Sequence, residues 1–253
     1  MTGKPSDDSG LPADLPQGKR PIRSFVVRGG RLTDGQERAI ALHRQDYVIE
    51  YQPAVLDFDS IFSRKAELVV EIGFGMGDSL LEMAIHHPQL NYLGIEVHRP
   101  GIGKLLQGIV QAGITNLRII NHDASEVLAH CFQDHGIHTV QIFFPDPWHK
   151  KRHHKRRLIQ PNFVSLLAQK LKPGGRLHLA TDWEPYALQM LEVVNSCPSL
   201  RNLSPDHTYI ATTDRPVTKF ERRGTRLGHG VWDLVAEKTD QTAVTSRNGV
   251  RVP

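Results

Sequence analysis

The sequence predicts an α/β fold, a doubly wound and mainly parallel sheet with helices on both faces. Three observations predict it. From Glu67 onward, short β-branched runs alternate with amphipathic stretches of helical length. Runs such as LVVEI, LRII and VQIFF are almost continuously apolar, as parallel strands covered on both faces must be. Glycine and proline mark the boundaries between the two patterns.

The elements follow in order. Thr33-Asp34-Gly35-Gln36 fits a capping box that opens a helix to about Arg44. Glu67–Ile72 is a first strand of the repeating pattern; a Gly-rich turn at 73–77 and a helix to His87 follow, stopped by Pro88. Leu90–Val97 is the second strand, and Pro100 suits the first turn of a helix to about Ala112. Asn116–Asn121 is the third strand, with a helix at 124–134 that Gly136 ends. His138–Phe144 is the fourth and runs into Pro145-Asp146-Pro147-Trp148. Pro161 opens a helix to Leu171, KPGG turns the chain into a fifth strand at 175–181, and a helix spans 184–195. Val231–Glu237 completes the sheet.

With 253 residues the chain is long enough for one large core without disulfide or metal staples. The expected organisation is a disordered tail over 1–23, a single domain over 24–240 and a C-terminal tail over 241–253. Two widely spaced cysteines form neither a disulfide framework nor a metal pattern. No apolar run is long enough for a membrane span, and the N-terminus lacks an apolar signal stretch, so a cytoplasmic protein is expected.

In a doubly wound sheet, ligands bind beyond the carboxyl ends of the strands. The first strand ends in Gly73, Gly75 and Gly77, which allow a tight turn and close approach of a ligand. A dinucleotide fingerprint would need a further small residue where Asp78 or Leu80 stands, and a carboxylate there repels phosphate. Four acids, Glu71, Glu96, Asp123 and Asp146, occupy successive strand ends. Any one of them could be a solvated loop carboxylate. Together they suit a ligand with a ribose, hydrogen-bond donors and positive charge, features that S-adenosylmethionine combines.

Charge is unevenly distributed. The net is +4, yet residues 150–157 (KKRHHKRR) hold six Lys/Arg and no acid. Without those six, 25 basic residues face 27 acidic ones, so this octapeptide accounts for the whole excess. Alone it reads equally as a solvated loop, a localisation signal or a phosphate grip. Its position one residue after Pro-Asp-Pro-Trp, at a strand end, favours the phosphate grip. Looser basic stretches lie at Lys19–Arg31 and Arg215–Arg226. His149 and His153 have zinc-helix spacing without the intervening Glu of that motif, so no metal is expected.

Strand–EIGFGMG–helix, strand–GIE and FFPDPWHKKRHHKRR, with Thr181-Asp182 and Thr218-Lys219-Phe220-Glu221 before GTRLGHGVWDL, resemble the bacterial tRNA (guanine-N7-)-methyltransferase family. The resemblance runs from about Ser24 to Glu237. It implies a class I methyltransferase (Rossmann-like) fold and an S-adenosylmethionine-dependent enzyme that acts on tRNA; the sequence itself shows no requirement for a protein partner. It also implies that Glu71, Glu96, Asp123 and Asp146, with the Gly73, Gly75 and Gly77 turn, bind the methyl donor, and that Asp146 is catalytic. Lys150, Asp182, Thr218, Lys219, Phe220 and Glu221 would contact substrate. Arg152, His153, His154, Lys155, Arg156 and Arg157 would hold RNA.

The implied chemistry suits the residue types. Guanine N7 carries no proton and can attack a methyl group in line, so Asp146 is expected to orient the base and offset developing charge rather than remove a proton. Trp148 either stacks on an extruded base or caps the sheet as a core aromatic. Two other functions stay open on the residues: an amino-group methyltransferase, whose strand-end pattern is N/D-P-P-Y/F rather than P-D-P-W, and a non-catalytic RNA-binding subunit.

Overall fold

A computed structural model describes residues 30–211, 215–216, 221 and 230–240. The expected tails at 1–23 and 241–253, and Thr218, Lys219 and Phe220, lie outside the described residues.

The chain runs α1 (Asp34–Tyr47), β1 (Val48–Ile49), α2 (Phe58–Phe62), β2 (Leu68–Ile72), α3 (Asp78–His86), β3 (Asn91–Ile95), α4 (Arg99–Ala112), β4 (Leu117–Ile120), α5 (Ala124–Cys131) and β5 (Ile137–Phe143). A 3-10 segment (Lys151–Arg156), α6 (Pro161–Lys170), β6 (Leu171–Thr181), α7 (Glu184–Asn195), β7 (Leu200–Asn202) and β8 (Trp232–Lys238) follow. The strands form one sheet in the order β1-β4-β3-β2-β5-β6-β8-β7. Pairings from β1 to β6 are parallel, and β8 is antiparallel to both β6 and β7. The doubly wound, mainly parallel architecture is as the sequence predicts.

Thr33 caps α1 with the expected box: its Oγ1 accepts from the Gln36 amide at 3.3 Å, and Gln36 Oε1 accepts from the Thr33 amide at 2.9 Å. The sheet is covered on both faces. On one, Leu80 and Met83 of α3 and Ile102, Leu105 and Ile109 of α4 pack against Val69, Tyr92 and Phe143. On the other, Leu128 of α5, Val164 and Leu167 of α6 and Met190 of α7 pack against Val70, Leu93 and Val140. This is why β2 and β3 are buried along their whole length. Several expected boundaries move: α1 runs to Tyr47 rather than about Arg44, and α5 stops at Cys131 rather than 134. The KPGG segment lies within β6, where Gly174 takes φ 74° and the register slips between Ile137 and Thr139.

From β2 the chain steps through β3 and β4 toward one edge, and from β5 through β6 toward the other. The order therefore reverses between β2 and β5, the topological position where sheets of this kind form a ligand crevice beyond the strands' carboxyl ends.

Candidate active site

Two turns meet at that crevice. The β2–α3 turn contains Gly73, Gly75 and Gly77 at φ 75°, 59° and 77°, values that penalise any side chain. A Cβ at Gly73 or Gly75 would meet nothing within 4 Å, so open space lies over the backbone there. Gly77 differs. It is the N-cap of α3, and a Cβ would come within 2.9 Å of Leu105, so its small size serves helix packing rather than ligand approach. The turn is pinned from α4, where a Cβ on Gly101 would collide with the Gly75 carbonyl. Asp78, in the first turn of α3, pairs with Lys104 of α4.

The second turn follows β5. Phe144 takes φ 52° and Trp148 φ 42°, bracketing Pro145-Asp146-Pro147. Non-glycine residues held at positive φ cost on the order of 1–3 kcal/mol each and persist only where their surroundings enforce them. Two hydrogen bonds do so. The Phe144 amide donates to the Ala180 carbonyl at 2.8 Å, and Arg157 Nε donates to the Pro147 carbonyl at 2.8 Å. Asp146 itself is exposed at the tip.

The four strand-end acids occupy different environments. Glu71 is 3% exposed, its Oε2 has no hydrogen-bond partner, and burial, then the Glu96 charge, raise its pKa to about 8. An uncompensated acid beside an open glycine turn suits a cationic ligand. Glu96 is also buried, but its Oε2 accepts from the Gly75 amide at 2.8 Å, and Oε1 from the Val97 and His98 amides at 2.7 and 3.0 Å. It ties the glycine turn to the start of α4 and retains little capacity for further donors. Asp123 is half-buried and caps α5, with Oδ1 accepting from the Ser125 amide at 2.8 Å.

The basic octapeptide folds largely as the 3-10 segment. Lys150, Lys151, Arg152 and Lys155 are exposed, whereas His153, His154 and Arg156 are half-buried. Arg156 lies 3.8 Å from the Trp148 ring centroid, so Trp148 is neither a core aromatic nor a bare platform. Arg157 departs from its expected role of holding RNA. It is 3% exposed and turned inward, donating to Pro147 and, from Nη1, to Gln189 Oε1 at 2.7 Å, with its guanidinium 4.8 Å from the Tyr186 ring. The apolar Leu158-Ile159 that follows it was the available signal that the chain turns inward there. His149 packs edge-on to Trp183 at 4.3 Å and His153 to Trp148 at 5.9 Å, so the two rings address different partners. Among the described residues, no group of three or more His, Cys, Asp or Glu could hold a metal ion.

Asp182 is half-buried at the end of β6. Glu221 is drawn into a buried cluster that sequence reasoning missed. Arg215 joins it to Asp233 of β8, which also accepts from His178 Nε2 of β6 at 2.8 Å. Burial would raise the Asp233 pKa, but the bonds from Arg215 and His178 outweigh it and hold it below the usual range.

A family model described as "Putative methyltransferase" matches residues 65–234. A tRNA (guanine-N(7)-)-methyltransferase of Pseudomonas paraeruginosa is 52% identical over 93% of this chain and 97% of its own length. One of Shewanella oneidensis is 56% identical over 87% of this chain and 92% of its own. The chain belongs to the tRNA (guanine-N7-)-methyltransferase family. Solved structures confirm the fold beneath this family membership. The 16S rRNA methyltransferase KamB is 15% identical with a TM-score of 0.51, over 74% of this chain and 95% of its own. The 16S rRNA (adenine(1408)-N(1))-methyltransferase from Catenulisporales acidiphilia, solved with its cosubstrate SAM, is 18% identical with a TM-score of 0.51, over 77% and 95%. In this tRNA (guanine-N7-)-methyltransferase family member the glycine turn and the Asp146 turn thus sit on a class I methyltransferase sheet.

Proposed function

We propose that the chain transfers a methyl group from S-adenosylmethionine to N7 of a guanine in the variable loop of tRNA. The observation that carries this is the pairing of the open Gly73–Gly75 turn with the strained Phe144–Trp148 turn across the β2/β5 crevice, with four exposed cations following immediately. The names of relatives more than half identical to this chain support the same reaction.

The residues fit the donor. Glu71, whose buried oxygen has no partner, would pair with the ammonium group, and the open faces of Gly73 and Gly75 would leave room for its methionine arm. Glu96 and Asp123 would meet the ribose and base through the acceptor capacity left by their backbone bonds. S-adenosylmethionine supplies an electrophilic methyl on sulfur and leaves without that positive charge.

Guanine N7 attacks the methyl carbon in line, and the product base carries the positive charge. Asp146 would accept from the N1–H and amino edge of guanine, orienting N7 and stabilising the charge that develops in the ring. No general base is required, because N7 has no proton to lose. Lys150, Lys151, Arg152 and Lys155 would neutralise RNA phosphates. Asp182 and the Thr218–Glu221 segment would complete the substrate side.

The test is incubation with unmodified tRNA and labelled donor, followed by mapping of the methyl group. N7-methylguanine in the variable loop is expected. A methylated amino group, or no transfer, would overturn the reading.

A further inference from the structure

Arg215 lies outside both turns, yet it is buried more completely than most arginines. Its Nε and Nη2 donate to the two carboxylate oxygens of Asp233 at 2.7 and 2.8 Å, and its Nη1 and Nη2 donate to those of Glu221 at 2.5 and 3.0 Å. The same guanidinium lies 5.7 and 5.3 Å from the ring centroids of Phe143 and Phe144. Phe143, Ala180 and Asp233 are register partners across β5, β6 and β8. Arg215 therefore sits at the rim of the sheet, between the strand end that leads into Asp146 and the acid of the substrate-side segment.

We propose that Arg215 is a positioning residue for methyl transfer: it holds Glu221 against β8 and braces the Phe143-Phe144 strand end, so that Glu221 and Asp146 keep a fixed relation at the β5, β6 and β8 side of the crevice. The inference rests on the tRNA methyltransferase reading of this site. Only a planar fork can make bidentate pairs with two carboxylates at once; an ammonium could bridge them but cannot reproduce both pairs. Because each Glu221 oxygen already accepts from Arg215, Glu221 can meet a substrate amino group only along its remaining lone-pair directions. Phe144 has a left-handed backbone and precedes Pro145-Asp146 directly, so loosening its ring changes where the Asp146 turn begins.

The experiment compares wild type, Arg215→Lys, Arg215→Met, Glu221→Gln and the Arg215→Met/Glu221→Gln double variant. It reads kcat and KM for tRNA methylation, donor Kd by calorimetry and the thermal midpoint. For folded Arg215 variants, kcat should fall by at least about 30-fold while the tRNA KM and donor Kd stay within about threefold, and Lys should not rescue Met. Adding Glu221→Gln to Arg215→Met should cost less than about threefold more, because the two act as one unit. A kcat within about threefold of wild type, a loss confined to KM, or independent losses that multiply would overturn the proposal. Should both Arg215 variants fail to fold, Glu221→Gln alone decides: unchanged kcat overturns it, and a fall of about tenfold or more with unchanged donor Kd supports it. A wild type that transfers no methyl to tRNA would instead remove the underlying reading.

Discussion

Arg157 Nε donates to the carbonyl of Pro147 at 2.8 Å, so the last cation of the basic octapeptide anchors the turn that carries Asp146. Its Nη1 reaches Gln189 on α7 and its guanidinium lies over Tyr186, which is itself fully buried. Together with the Phe144–Ala180 bond, this fixes both ends of a turn whose backbone would not hold that shape unaided. One stretch of sequence thus serves two purposes: its first residues face solvent, and its last stiffens the site.

Arg157→Met is expected to lower stability by about 1–3 kcal/mol, because it leaves the half-buried acceptors on Pro147 and Gln189 without that donor. Urea denaturation measures this. The salt dependence of tRNA binding should be unchanged in the same variant, which separates an anchoring role from phosphate contact.

Replacing Lys150, Lys151, Arg152 and Lys155 with Gln should make the slope of log K against log salt less negative by about 3, given roughly 0.7–0.9 per phosphate contact. Filter binding across a salt series reads it directly. A slope equal to that of wild type would remove the octapeptide from the RNA interface. His153 should add nothing near neutral pH, since burial and then its cationic neighbours, led by Arg152, hold its pKa below the ordinary value.

Glu71 gives a pH signature. Its folded pKa is raised from 4.5 to about 8, so the donor-free protein keeps a proton there that the unfolded chain has lost. Its contribution to stability is therefore undiminished below about pH 4.5 and declines as pH rises toward 8. A cationic donor pairs with the ionised form, so donor Kd should tighten by up to about tenfold per pH unit between roughly 6 and 8. Calorimetry in buffers of different ionisation enthalpy should detect the released proton. Glu71→Gln should flatten the dependence and raise donor-free stability at pH 8; a flat profile in wild type would contradict the assignment.

Much of this was legible in the sequence because the signals are local. Apolar runs of strand length, the Thr33 capping box, Pro100 and Pro161 in first helical turns, and the acids at strand ends are set by neighbours a few residues away. Short pieces escaped: β1, α2 and β7 are five residues or fewer and owe their form to the sheet edge and helices they join. The candidate site was proposed from its residue types, but their placement was not legible in them. Nothing in KKRHHKRR distinguishes Arg157 from Lys155; burial against Tyr186 does. Gly77 shares its spacing with Gly73 and Gly75, but Leu105 of α4 gives it a different role. Arg215 is far from Phe144 in the chain and meets it only because β8, which carries its partner Asp233, lies beside β6.

The central claim is that Asp146 accelerates methyl transfer by charge and orientation, not by proton removal. Single-turnover methyl transfer to tRNA by Asp146→Asn, with saturating donor, tests it most directly. The rate should fall by about 100- to 1000-fold, the scale of losing one preorganised electrostatic contact, while the variant keeps its fold and its tRNA affinity. Transfer to N7 at a rate within about threefold of wild type would contradict the account.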